Sequence, residues 1–175
     1  MNFWIQSRPQ KVKEVLRQVH IFILNDAEAR QITGQTSLIR AGKMIMAWGP
    51  SVIVIKKGEH GALLFTRDGF FAVPAFPLEE VYDPTGAGDC FAGGFFGSLV
   101  RDGGSLDERS LRRAVVYGTV MASFNVEKFS LERLKTLTDA EIFGRYRQFI
   151  QMTHFEDQEL EIREQSSAAR SVPDR

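Results

Sequence analysis

Four residues near the middle of the chain, Gly86, Ala87, Gly88 and Asp89, combine small side chains with one carboxylate. Small residues let a backbone turn tightly and come close to a ligand. The apolar residues that follow, Phe91, Phe95, Phe96, Leu99 and Val100, recur at helical spacing, so the turn feeds a helix N-terminus. Such a terminus presents unpaired N–H groups and the positive end of a dipole, which suits an anion. An acid there is placed to take a proton beside a stabilised oxyanion or phosphate. The competing explanation is plain: Asp89 caps the helix and the glycines make a loop.

Two further signals point to similar chemistry. Asn25 and Glu28 sit three apart at another helix start and so share one face. A pair of this kind can orient water around magnesium, which prefers oxygen ligands and keeps several waters. Alternatively, Asn25 is an N-cap and Glu28 a favourable first-turn acid. In "KKGEHG", Gly58 and Gly61 permit close backbone approach, and Lys56 or Lys57 can meet phosphate as a point charge. The same stretch also reads as a polar hairpin entry with solvated lysines. Cys90, the single cysteine, excludes an intramolecular disulfide and a cysteine-based zinc site. It reads as a small, partly buried residue rather than a reactive thiol.

These groups need elements to hold them. Residues 8–19 space Val12, Val15, Leu16 and Val19 along one helical face, with Pro9 in the first turn. "HIFIL" and "SVIVI" are short apolar runs of the kind found in buried parallel strands. "DAEARQITG" predicts a helix ended by Gly34, and "SLIRAGKMIMAWG" a second ended by Gly49 and Pro50. "GALLF" and "FFAVP" flank "TRDG" as a hairpin with its turn at Asp68-Gly69. Helices are expected from the glycine-rich turn to about Arg101, from Ser110 to Asn125, and from Asp139 to Thr153. Each chemical signal follows a strand. This alternation predicts an α/β layered fold with its site at the carboxyl ends of the strands.

The 175 residues suit one domain rather than two. We place it at residues 1–155, followed by a polar, mobile tail over 156–175 that has almost no large apolar side chains. Lys plus Arg number 22 and Asp plus Glu 22, so no net charge favours nucleic acid or an anionic membrane as partner. With no signal-peptide pattern and no apolar run of bilayer length, the chain reads as cytoplasmic.

"DPTGAGDCFAGGF" resembles the C-terminal signature of the PfkB (ribokinase-like) family of ATP-dependent sugar and nucleoside kinases. Asn25 and Glu28 match that family's N-x-x-E element, and Gly58 and Gly61 its G-x-x-G nucleotide loop. Order and spacing agree over about residues 20–150. The resemblance implies a ribokinase-like three-layer αβα fold, with a mostly parallel sheet plus a hairpin. It implies Asp89 as the general base toward the acceptor hydroxyl, and the N–H groups of Gly86, Ala87 and Gly88 as an anion hole for the transferring phosphoryl group. It implies that Asn25 and Glu28 hold magnesium through water, and that Lys56, Lys57, Gly58 and Gly61 belong to the ATP site. Asp83 and Thr85 match residues that hold a monovalent cation in some members.

Family members run near twice this globular length, and the glycine-glycine sugar element and small β lid of their N-terminal half are not found here. Where ribokinases often carry an adenine-contacting asparagine, this chain has about Val115; Asn125 is the alternative adenine contact. The expected function is phosphoryl transfer to a hydroxymethyl group of a sugar or nucleoside. The alternative is a nucleotide-binding or assembly module without an acceptor site. A dinucleotide-binding oxidoreductase ranks third, because no G-x-G-x-x-G follows the first strand. A sheet lacking its N-terminal strands would leave the strand "HIFIL" with an open edge, so homo-oligomerisation is expected.

Overall fold

The computed structural model describes residues 2–155; the proposed tail lies outside the described residues. Helices α1 (Asn2–Ser7) and α2 (Pro9–Leu16) lead into strand β1 (Ile21–Asn25). Helices α3 (Asp26–Thr33) and α4 (Leu38–Met46) follow, then β2 (Val52–Lys56) and the hairpin β3 (Ala62–Thr66) and β4 (Gly69–Val73). The chain then forms α5 (Ala87–Arg101), α6 (Glu108–Asn125) and α7 (Asp139–Thr153).

The sheet order is β1-β2-β3-β4, with β1 parallel to β2 and the other two pairs antiparallel. The hairpin was expected; its consequence is a mixed sheet, in which a single described pair is parallel. Period-two alternation in β2 explains the layering. Val52 and Val54 pack with Phe91 and Phe95 of α5 and with Leu111 and Phe124 of α6. Ile53 and Ile55 point the other way, into a core with Leu16, Ala29 and Ile45 of α2, α3 and α4. Helices cover both faces, which is why "SVIVI" is apolar at successive positions rather than alternating. None of the described helices is long and apolar enough to cross a membrane.

Three local expectations shift. The pattern did not announce α1, whose Ile5 is buried against the α2–α4 core. Helix α2 stops at Leu16, short of Val19. Thr66 pairs with Gly69, so the hairpin turn is Arg67-Asp68, one residue earlier than the Asp68-Gly69 reading.

Parallel pairing of β1 and β2 positions the site. It sets Asn25 opposite Lys56 at the carboxyl ends of the two strands. The signals of both loops therefore emerge side by side.

Candidate active site

Asn25 is the N-cap of α3, and its Oδ1 accepts the Glu28 N–H at 2.7 Å. Glu28 Oε2 accepts the Asn25 N–H at 3.0 Å, completing a capping box. The capping explanation is thus realised. It does not displace the other, since the box holds the buried Glu28 carboxylate next to the end of β2. Its charge reaches Lys56 there, as does that of Asp89.

Lys56 is where the separate signals meet. Its Nζ donates to the Gly88 carbonyl at 3.2 Å, bridging the end of β2 and the start of α5. A Cβ at Gly88 would stand 2.5 Å from that nitrogen, so a side chain at residue 88 would push the amine out of this position. Burial pulls the Lys56 pKa down, while Glu28 and Asp89 oppose the shift. Beyond it, Gly58–His60 forms one 3-10 turn, closed by Lys57 N–H donating to the Gly61 carbonyl at 2.7 Å. Gly61 has φ of 82°, and a Cβ there would approach the Val73 carbonyl to 2.0 Å. The second glycine of G-x-x-G is required on both counts.

Gly86 caps α5 with φ of 83° and no side chain closes that helix; Asp89 is its third residue and is exposed. The Asp89 and Cys90 N–H groups donate to the Gly86 carbonyl at 3.0 and 2.9 Å. Ala87 N–H donates to the Pro84 carbonyl at 3.2 Å. Of the three N–H groups expected to form an anion hole, that of Ala87 therefore already has a partner within the turn. Burial first, and the Asp89 charge second, push the Cys90 thiol up, away from a reactive thiolate.

Asp83 pins the segment before the turn. Its carboxylate accepts the Thr85 N–H at 2.9 Å and the Ser130 N–H at 3.2 Å. Bonds from Thr85 and then Ser130 lower its pKa below the usual carboxylate value. Ser130 is the one described non-glycine residue at positive φ, 54°.

Asn25, Lys56, Lys57, Gly58, Gly61, Ala87 and Gly88 all line one open cleft of about 1010 Å³. Neither Val115, which stands where ribokinases often carry an adenine-contacting asparagine, nor Asn125, the contact named in its place, lines this cleft. Val115 is wholly buried in the core. Asn125 is 1% exposed and bonded to the Thr85 carbonyl and the Cys90 thiol, behind the turn rather than in the cleft.

The model of the pfkB family of carbohydrate kinases matches residues 2–136. The chain belongs to the pfkB family. This pfkB chain is 40% identical over 98 residues to a cytidine kinase of Thermococcus kodakarensis, covering 54% of the chain and 34% of the relative. It is 34% identical over 110 residues to a deoxyribokinase of Salmonella typhi, covering 60% of the chain and 34% of that protein. Among solved structures, an aminoimidazole riboside kinase from Salmonella enterica, complexed with aminoimidazole riboside and an ATP analog, superposes with a TM-score of 0.71 at 26% identity. That match covers 79% of this chain and 46% of the kinase. The pfkB chain thus spans between a third and a half of the length of these relatives, and it has the ribokinase-type fold over that portion.

Proposed function

We propose that this chain supplies the ATP-handling and proton-accepting part of a phosphotransferase that moves a γ-phosphoryl group to a hydroxymethyl group of a sugar or nucleoside. The observation that carries the reading is the convergence on Lys56: Gly88 of the glycine-rich turn by a hydrogen bond, Glu28 and Asp89 by charge. The relatives support a sugar or nucleoside acceptor, being cytidine, deoxyribose and aminoimidazole riboside kinases.

In this reading Asp89 takes the acceptor proton as its oxygen bonds to phosphorus. The bond to the ADP oxygen breaks, and charge on the phosphoryl oxygens meets the Gly86 and Gly88 N–H groups and the α5 N-terminus. Such transfers need positioning and electrostatics more than covalent chemistry. Lys56 lies among the acids as the compensating cation, and the G-x-x-G loop borders the nucleotide. Glu28 and Asn25 fit magnesium held through water, since an ion on nucleotide phosphates keeps most of its hydration and needs few protein oxygens. A monovalent cation would share the Asp83 carboxylate with the Thr85 and Ser130 N–H groups. A second reading, nucleotide binding without transfer, uses the same cleft and the same Lys56 and glycine-loop groups.

Both readings require ATP to bind. ATP with magnesium at a hundredfold excess over Kd is expected to raise the melting temperature by roughly 5–10 °C, and Lys56→Ala to weaken binding about tenfold. Calorimetry without heat at millimolar ATP, or an unchanged Kd in Lys56→Ala, overturns the assignment of this cleft.

A further inference from the structure

Asn125 ends α6 and is 1% exposed, yet it carries one of the few fully buried polar side chains described. Its two amide atoms reach both sides of the glycine-rich turn. Nδ2 donates to the Thr85 carbonyl at 2.8 Å, just before Gly86. Oδ1 accepts from the Cys90 thiol at 3.1 Å, just after Asp89. A Cβ built on Gly86 would lie 3.6 Å from each of these amide atoms, so the amide is packed directly beneath the turn. A carboxamide can do this because it offers a donor and an acceptor in one plane.

We infer that Asn125 is a positioning residue: it locks the Thr85–Gly86 peptide so that the Gly86 N–H is held ready for the transferring phosphoryl group. No described peptide bond is cis, and in a trans peptide C=O and N–H point in opposite directions. With the Thr85 carbonyl drawn inward to Asn125, the Gly86 N–H is turned outward from the core. Residue 86 is glycine at φ of 83°, where rotation of the preceding peptide meets little steric resistance. The hydrogen bond from Asn125 supplies the resistance that the glycine lacks. Since Ala87 N–H is spent on Pro84, loss of the Gly86 donor would leave the turn with one. The main chain next to Asn125 grips the same segment: the Val126 carbonyl accepts the Tyr82 N–H at 2.8 Å and the Asp83 N–H at 3.3 Å. The end of α6 is thus a mould for the approach to α5.

The inference rests on the phosphotransferase reading, and ATP against ADP separates the two. The turn faces the γ-phosphoryl group, which ADP lacks. Wild-type chain with magnesium should bind ATP more tightly than ADP. Asn125→Leu, which keeps the volume and loses both hydrogen bonds, should bind ADP within about twofold of wild type and ATP about tenfold more weakly. Cys90→Ala removes the thiol but keeps the Thr85 bond, and should preserve the preference. A general loss of packing in Asn125→Leu would weaken both nucleotides alike, and that outcome overturns the lock. So does a retained ATP preference. Should Asn125→Leu not fold, nuclear magnetic resonance on the wild-type chain decides. The Gly86 amide signal must move with ATP and stay with ADP, and equal movement with both rejects the inference. If wild-type chain binds ATP no better than ADP, the phosphoryl-facing role of the turn fails, and the lock with it. If it binds neither, the phosphotransferase reading itself falls.

Discussion

Asp89 lies in the first turn of α5 without capping it: the N-cap is Gly86, no side chain closes the helix, and Asp89 is exposed at the third helical position. A carboxylate that capped the helix would be tied to an N–H of its first turn, as Asn25 is in α3. Asp89 instead acts at a distance on Lys56. With the N-terminal region of a pfkB kinase supplied, Asp89→Asn should leave ATP affinity within about twofold while acceptor-dependent ADP release falls about a hundred- to ten-thousand-fold. Unchanged release would mean that another group takes the proton. Residue types and spacing were enough to nominate Asp89, Glu28 and Lys56, because phosphate chemistry draws on a short list of side chains next to turns. They were not enough for Asn125. Its partners are 35 and 40 positions away in sequence, and an asparagine at a helix end reads equally well as a C-terminal residue or a ligand contact. Nor does spacing reveal that Ala87 N–H turns toward Pro84, since that depends on the path of the loop before it.

Helices α6 and α7 form a brace for the site. Phe124 and Ser123 precede Asn125, and Arg145 of α7 lies 3.5 Å from the Phe124 ring centroid while donating to Ser123 Oγ at 3.0 Å. Glu127 binds Arg145 and, at 2.9 Å, Arg133, which in turn reaches Glu141 at 2.6 Å. Glu141 also accepts from the Thr138 hydroxyl and N–H, closing the capping box of α7. The Thr138 hydroxyl, then Arg133, then the Thr138 N–H pull its pKa from 4.5 to about 2. A depressed carboxylate stabilises the folded state above its unfolded pKa and loses that effect as pH falls through the folded one. The contribution of Glu141 should therefore be full above about pH 4.5 and fade toward pH 2. Glu141→Gln should melt below wild type at pH 6, with the gap closing as pH drops to 2.5. A gap that stays constant would show that the charge of Glu141 holds nothing. The helices themselves were legible from periodicity, and Asp139–Thr153 agrees with its expected limits. The one-residue slip of the hairpin turn was not: "TRDG" offers Asp-Gly as a turn pair, but the strand register set by burial of Ala62, Leu64 and Val73 puts Gly69 in the ladder instead.

At the scale of the whole molecule, β1 is an edge. Among the described residues it pairs with β2 alone, and its outer backbone groups face no strand. Ile21, Phe22 and Ile23 are only half-buried, whereas Val52, Ile53, Val54 and Ile55 of β2 are all buried. Parallel strands of this composition are normally covered on both sides, and an uncovered apolar edge is a template for another chain. Helix α5 adds to the exposed apolar surface: Phe96 and Val100 are 45% and 77% exposed, on the side of the helix away from the buried Phe91 and Phe95. Neither edge nor helix face is explained by the requirements of the cleft, and nothing in the charge balance would keep copies apart near neutral pH. The chain on its own should therefore self-associate, with a light-scattering mass that rises with concentration. Replacing Val100 by Lys places a charge on the exposed helix face without touching the core, and should lower that mass at equal concentration while leaving the melting temperature within about 2 °C, the shift that a surface change of up to 0.5 kcal/mol produces. A monomeric mass at every concentration, with a single sharp melt, would mean that β1 and α5 are stable as exposed surfaces and that this part of the kinase fold stands without a neighbour.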